Sequence, residues 1–151
     1  MKETIGFISD KTNQEAASQL MSWCKKNIKN ITFVNVNKNK NAKSILDNAD
    51  NAIKALYAKK ITRLITLDDY GIAAFMYISK FYDIVVAEIS DEHSAHMTME
   101  HNNATVLSFG TKITTLHQIK NMLKSYCATK YEGSRHKVRI DMMNELAKGV
   151  K

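Results

Sequence analysis

Two arginines near the C-terminus have the type and spacing to bind a phosphate group. They lie in the segment Tyr131-Glu132-Gly133-Ser134-Arg135-His136-Lys137-Val138-Arg139, where a glycine turn precedes a predicted helix. Arg135 and Arg139 are four residues apart, so they face one side of that helix. Their guanidinium groups can make charge-assisted hydrogen bonds to a phosphate, and the helix N-terminus adds a favourable dipole. The alternative is a solvated basic face paired with Glu132 or Asp141.

A second candidate is the tetrapeptide His101-Asn102-Asn103-Ala104, which lies where a predicted helix ends and a strand begins. Imidazole titrates near neutral pH, so His101 suits proton transfer, and this position can aim it and the Asn102 amide into a crevice. The alternative is a helix C-cap, which His and Asn also suit. His93 and His96 are interpreted as part of the first turn of that helix, and no third ligand suggests a metal site.

Acidic residues follow two of the predicted strands. Asp10 comes directly after the first strand, where its carboxylate can hold a ligand hydroxyl or cap the next helix. Asp68 and Asp69 precede Tyr70-Gly71 after the third strand. Adjacent carboxylates oppose negative charge on a reacting oxygen, so we expect the Asp68 loop to cap a helix.

The elements that position these residues follow from the hydrophobic pattern. Short β-rich runs alternate with stretches of helical period, which predicts βα units feeding a mainly parallel sheet. The predicted strands are 4–9, 31–37, 64–67, 84–88 and 105–109. The predicted helices are 13–27, 45–59, 71–81, 91–102, 114–126 and 134–148. We expect one Rossmann-like αβα sandwich over residues 1–151, with ligands at the strand C-termini. The last helix lies outside the alternation, and we expect it to pack on a partner subunit.

Composition excludes several classes of protein. The length of 151 residues suits one domain, and 44% hydrophobic with 25% charged residues is ordinary globular usage. No apolar run approaches the roughly 18 residues of a membrane span, and no secretion signal is evident, so we expect a soluble cytoplasmic protein. Cys24 and Cys127 lack metal-ligand or CxxC spacing. The net charge of +7 suits an anionic partner, but the lysines lack the interleaved aromatic residues typical of nucleic-acid binding.

Three segments of the second half form a specific combination. They are Val86-Ala87-Glu88-Ile89-Ser90-Asp91-Glu92-His93-Ser94, Met97-Thr98-Met99-Glu100-His101-Asn102-Asn103-Ala104, and Tyr131 to His136 continued by Arg139-Ile140-Asp141-Met142. This combination resembles the family of ribose-5-phosphate isomerase B and the two-subunit galactose-6-phosphate isomerase. The loop from Gly71 to Met76 and the run from Ala87 to Glu92 look most like the A-type subunit of the latter enzyme.

The chain departs from the family pattern at two positions in its first half. Lys11 occupies the place of a histidine that follows Ser-Asp in the family, and Asp68 the place where ribose-5-phosphate isomerase B often carries a cysteine base. Both changes remove functions of the first half. The A-type subunit also lacks the cysteine.

The resemblance implies an aldose-ketose isomerase, without metal or organic cofactor, whose site lies across a subunit interface. A base on a B-type partner would move a proton between sugar carbons through an enediol. His101 would assist ring opening, and Asn102 would hydrogen-bond the enediolate. The candidate substrate- and phosphate-binding residues are Arg135, Arg139, Lys112 and Asp10.

Three hypotheses remain open at this point. The chain is a subunit of a hetero-oligomeric galactose-6-phosphate isomerase, inactive or nearly so alone. Alternatively it is a homomeric isomerase of a pentose or hexose phosphate, in which Asp68 or Asp69 replaces the cysteine as base. The third hypothesis is a non-catalytic member that binds sugar phosphates or assembles with another chain.

Overall fold

The computed structural model describes residues 3–149 as a five-stranded sheet with six helices. The strands are β1 (Glu3–Ser9), β2 (Ile31–Asn35), β3 (Arg63–Asp68), β4 (Val86–Glu88) and β5 (Val106–Gly110). The helices are α1 (Gln14–Asn27), α2 (Leu46–Tyr57), α3 (Ile72–Ile78), α4 (Glu92–Asn102), α5 (Leu116–Ala128) and α6 (Ser134–Lys148). The strand order is β2-β1-β3-β5-β4 and every pairing is parallel. The predicted α/β class and element order are confirmed.

Helices cover both faces of this sheet, which explains why its central strands are apolar without alternation. Successive residues of a strand point to opposite faces, so Leu64 packs with α2 and α3, whereas Ile65 packs with α1, α4 and α5. Val106 and Leu107 divide in the same way in β5. The result is a three-layer sandwich with a separate apolar core on each side of the sheet.

The parallel strands give the sheet two chemically different edges. The loops after β1, β3, β4 and β5 share the edge at which the strands end, here called the C-terminal edge. Helices α1 to α5 then run back to the opposite, N-terminal edge of the sheet. There the next strand begins, or, after α5, the chain continues into α6. β1 leads to β2 on one side, and β3 lies on the other side of β1. The usual ligand crevice of such a sheet therefore lies between the ends of β1 and β3.

Helix α6 lies apart from the alternating units. Gly133, with a positive φ of 70°, precedes it, as the sequence predicts. The Glu132 backbone N–H donates to the Glu100 carbonyl at 2.9 Å, and the Asn144 side chain donates to Asp83 at 2.9 Å. The helix thus follows the N-terminal edge from the end of α4 to the loop between α3 and β4. Its exposed apolar residues are Val138, Met142, Met143 and Leu146.

The largest boundary differences concern α3 and β4. The predicted helix 71–81 is regular only over Ile72–Ile78, and the predicted strand 84–88 pairs only over Val86–Glu88. Phe81 and Ile84 pack against the core outside regular structure, which explains why their hydrophobicity extended both predictions. Within residues 3–149, no helix is long and apolar enough to cross a membrane.

Candidate active site

A polar network links the loops after β1, β3 and β5 beside the crevice between β1 and β3. The buried Asn13 amide donates to Asp10 Oδ1 and to Asp69 Oδ1, each at 3.0 Å. Asp10 Oδ1 also accepts the backbone N–H of Asn13 at 2.9 Å, and the Thr111 hydroxyl donates to the Asn13 side-chain oxygen. Asp10 therefore organises the turn that enters α1, whose N-cap residue is Asn13 rather than Asp10.

Lys112 lies at the same C-terminal edge. Its Nζ is 2.6 Å from Asp69 Oδ2 and lies 5.7 Å from the centre of the Tyr70 ring. The hydrogen bonds from Lys112 and Asn13 lower the pKa of Asp69, because they stabilise its ionised form. Asp69 is consequently a weak base, and the charge of Lys112 is already paired.

Asp68 is fully engaged in starting α3. The carboxylate is buried, and it accepts the backbone N–H groups of Tyr70, at 2.9 Å, of Gly71, and of Ala74, at 3.4 Å. A Cβ at Gly71 would lie 2.9 Å from the Gly110 nitrogen, and its φ of 77° also requires glycine. The predicted helix-capping role of this loop is confirmed. Its backbone donors bind Asp68 rather than an external oxyanion.

Glu88 is a carboxyl group at this edge that sequence reasoning did not assign a role. It ends β4, half-buried, with its Cγ 3.3 Å from the position of a Cβ on Gly71. Burial, and then the charge of Asp68, raise the pKa of Glu88. The signal in the sequence is an acidic residue that directly follows the apolar run Val85-Val86-Ala87.

The N-terminal edge carries a pair of stacked histidines. The His101 and His136 rings are parallel within 7°, with centroids 4.0 Å apart. Glu132 Oε2 is 3.4 Å from His136 Nε2, and Glu100 Oε2 is 3.3 Å from His101 Nε2. Burial and the neighbouring His101 lower the pKa of His136, and Glu132 only partly opposes this. The lowered pKa favours the neutral form of His136 beside His101.

The two arginines flank this histidine pair. Both are exposed on α6, and Arg135 Nε lies 3.4 Å from His136 Nε2. Arg135 and Arg139 each lower the pKa of His136 further. Across residues 3–149 neither arginine is ion-paired with a carboxylate, while Lys137 pairs with Asp141 and Glu132 faces His136. The alternative that the arginines pair with Glu132 or Asp141 does not hold.

The same cluster contains one group with the residue types of a metal site. Ligand atoms of His101, Glu132 and His136 lie within 4.8 Å of one another. A ligating imidazole holds a metal ion close to the plane of its own ring. Two parallel rings 4.0 Å apart share no such point, so the stacked arrangement does not fit a metal ion.

The predicted site residues fall into two groups at opposite edges of the sheet. Asp10 and Lys112 lie at the C-terminal edge, whereas His101 and Asn102 end α4 at the N-terminal edge. Arg135 and Arg139 lie with the second group. His101 and Asn102 thus lie away from the crevice of their own chain, because α4 runs antiparallel to the strands. The C-cap of α4 is Asn103, in a left-handed conformation with φ of 49°.

Comparison with known proteins identifies the class that this fold and these residues define. The chain belongs to the Ribose/Galactose Isomerase family, whose model matches residues 5–143. It is 34% identical over 138 residues to the galactose-6-phosphate isomerase subunit LacA 2 of Streptococcus pyogenes serotype M1, covering 91% of this chain and 95% of that protein. It is 39% identical over 103 residues to the subunit LacA of Clostridium acetobutylicum, covering 68% and 72% of the two chains.

Solved structures share the fold at lower sequence identity. Ribose-5-phosphate isomerase B of Clostridium thermocellum superposes with a TM-score of 0.88 at 21% identity, covering 98% of this chain and 99% of that one. The Mycoplasma genitalium enzyme with bound ribulose-5-phosphate gives a TM-score of 0.84 at 22% identity, covering 99% of each chain.

Proposed function

We propose that the chain is the A-type subunit of a galactose-6-phosphate isomerase, which interconverts galactose 6-phosphate and tagatose 6-phosphate through an enediol. The names of its relatives support this substrate. The main support for a shared site is that the candidate residues lie in two groups at opposite edges of the sheet. One chain places His101 and Arg135 at the edge opposite its own crevice. These residues therefore serve a crevice supplied by another subunit.

In this proposal His101 donates a proton to the ring oxygen of the sugar as the bond between that oxygen and C1 breaks, and the C1 hydroxyl releases its proton to solvent as the aldehyde forms. The His136 ring stacked on His101 fixes the plane of the His101 imidazole. Asn102 donates a hydrogen bond to the enediolate oxygen. Arg135 and Arg139 hold the phosphate, which keeps the reacting carbons beside the base.

The base comes from the B-type partner. In this chain Asp68 is bound by three backbone N–H groups, and Asp69 is paired with Lys112. The hydrogen bonds to Asp69 lower its pKa, which reduces its tendency to take a proton from carbon, and the Asp68 carboxylate is already occupied by backbone donors. In this proposal the acidic residues in the crevice of this chain have structural roles. The catalytic and phosphate-binding groups that this subunit contributes lie at its N-terminal edge.

Exposed apolar surface supports assembly around these groups. Val138, Met142 and Leu146 are spaced by four residues along α6, on the helix that carries the arginines, and are 58 to 72% exposed. A second exposed apolar set lies close to the C-terminal edge and consists of Tyr70, Ile72, Met76 and Ile113. We propose that the α6 stripe packs on the partner subunit and brings Arg135 to its crevice.

Turnover of galactose 6-phosphate tests this proposal directly. The purified chain is assayed alone and after mixing with a B-type subunit of the family. We expect turnover only in the mixture, and its loss when His101→Ala replaces the natural chain. No turnover in either sample would instead support the non-catalytic alternative.

A homomeric isomerase is the second candidate, and Glu88 is the observation that favours it. The raised pKa of Glu88 brings it closer to the value that a general base needs near neutral pH, whereas the pKa of Asp69 is lowered. On this hypothesis the chain is active alone towards ribose 5-phosphate or galactose 6-phosphate, and Glu88→Gln abolishes that activity. Full activity of Glu88→Gln would exclude Glu88 as the base.

A further inference from the structure

Arg63 joins several elements at the N-terminal edge, beside the residues proposed to act on the substrate. It begins β3, and its side chain is only 18% exposed. The guanidinium Nε is 2.6 Å from Glu3 Oε1. Nη1 donates to the Tyr126 hydroxyl at 2.9 Å and to the Ala104 carbonyl at 3.2 Å, and Nη2 lies 3.5 Å from Asn103 Oδ1.

These contacts converge on the turn that follows Asn102. The Ala104 carbonyl accepts from Arg63 and also from the Tyr126 hydroxyl. Asn103 is left-handed, and its N–H donates to the Met99 carbonyl at 3.2 Å. A non-glycine residue in this conformation persists when its surroundings determine it. Here β1, β3 and α5 all contribute to holding the turn.

The charge of Arg63 strengthens this arrangement. Burial lowers the pKa of Arg63, but Tyr126 and Glu3 together raise it by more, so the guanidinium stays charged. Burial also raises the pKa of Tyr126 to about 12, which keeps its hydroxyl available as a donor. Hydrogen bonds from a charged, half-desolvated guanidinium are stronger and more directional than those between neutral groups.

We propose that Arg63 is a positioning residue, which fixes the Asn103–Ala104 turn and thereby holds His101 and Asn102 in their reactive orientation. The inference rests on the proposed function of these two residues. Helix ends fray when their last carbonyls and C-cap are not bound. Loss of the hydrogen bonds from the Arg63 guanidinium therefore makes the last turn of α4 more mobile. That turn carries the His101 imidazole and the Asn102 amide. Displacements of about 1 Å at a reacting group are enough to slow a reaction.

Two variants and a matched control separate positioning from simple destabilisation. Arg63→Met removes all the guanidinium contacts, and Tyr126→Phe removes only the hydroxyl that links Arg63 to Ala104. Thr62→Val is the control, because Thr62 lies beside Arg63 at the same edge but, within residues 3–149, its side chain bonds only Thr4, at 3.0 and 2.9 Å. Each chain is assayed with galactose 6-phosphate and the B-type subunit. The His101 imidazole and Asn102 amide NMR signals are recorded on the chain alone.

With Arg63→Met we expect kcat to fall by roughly 10- to 100-fold while KM stays within about twofold, since the phosphate anchors are untouched. Tyr126→Phe should give a smaller loss of the same kind. The His101 and Asn102 signals should shift in both variants and stay unchanged in Thr62→Val. Arg63→Lys should restore only part of the rate, because an ammonium group cannot reproduce the planar fork.

The proposal is overturned if Arg63→Met leaves the His101 and Asn102 signals in place. It is also overturned if its kcat falls no further than that of Thr62→Val at equal folded fraction. The NMR arm does not depend on turnover. Failure of the proposed function, seen as full activity of His101→Ala, is therefore distinguishable from failure of the positioning role.

Discussion

Replacing Arg135 by alanine removes one of the two proposed phosphate anchors at small structural cost. The side chain is exposed at the start of α6, and within residues 3–149 it forms no ion pair with a carboxylate. Substitutions of exposed residues without such partners usually change stability by less than about 0.5 kcal/mol. The variant is therefore expected to fold and to assemble with the B-type subunit like the natural chain.

The loss in substrate binding follows from the hydrogen bonds that a guanidinium makes to a phosphate. A hydrogen bond to a charged group contributes about 1.5–3 kcal/mol. At about 1.4 kcal/mol per factor of ten, the KM for galactose 6-phosphate should rise by roughly 10- to 150-fold. Because the phosphate is held equally in the ground and transition states, kcat should change little. Arg139→Ala should act similarly.

Steady-state kinetics of the mixed subunits provide the assay. Lys137→Ala is the matched control, because it removes a positive charge from the same helix. The Nζ of Lys137 is already paired with Asp141. The reasoning is refuted if Arg135→Ala leaves KM unchanged, or if Lys137→Ala raises KM by the same factor. Either result would mean that the arginines contribute only a general positive field.

Four further predictions concern the rest of the site and its assembly. His101→Ala should lower kcat more than it raises KM in the mixed enzyme, provided that ring opening limits the rate, and a loss confined to assembly would leave His101 with a structural role alone. The folded-state pKa of His136 is lowered from its ordinary value of 6.5, so its contribution to stability is full above that pH and declines as the pH falls. Urea denaturation at several pH values should show this decline in the free energy of unfolding. His136→Gln should make the decline smaller. Leu146→Glu should weaken association with the B-type subunit by about tenfold or more in sedimentation experiments. The control Leu46→Glu, on α2, should leave association unchanged. Equal effects of the two substitutions would exclude α6 as the interface. Asp68→Ala should lower the free energy of unfolding by about 2 kcal/mol in urea denaturation, since it leaves helix-start N–H groups unpaired, and the folded fraction should keep its activity in the mixture.

The order and type of the elements could be predicted because the hydrophobic period changes sharply between strands and helices. The ends of α3 and β4 could not, since Phe81 and Ile84 are apolar for packing rather than for regular structure. The parallel pairing followed from the βα alternation. The strand order depends on non-local contacts that the sequence pattern does not contain.

The placement of the candidate residues could be predicted where it depends on local spacing. Arg135 and Arg139 share a helix face by their separation of four residues, and both lie beside His136 in the structure. Which edge His101 occupies follows from the direction of α4, a step that the local sequence pattern alone did not supply. Glu88 and Arg63 were missed because burial and partners distant in sequence give them their properties.

The central claim is that this chain completes a site whose base belongs to another subunit. The most direct test is a titration of a fixed amount of the chain with a B-type subunit, while turnover of galactose 6-phosphate is measured at each ratio. We predict negligible turnover by the chain alone, and a rise to saturation as partner is added, which His101→Ala abolishes. Turnover that is proportional to this chain alone and unaffected by the partner would contradict the account.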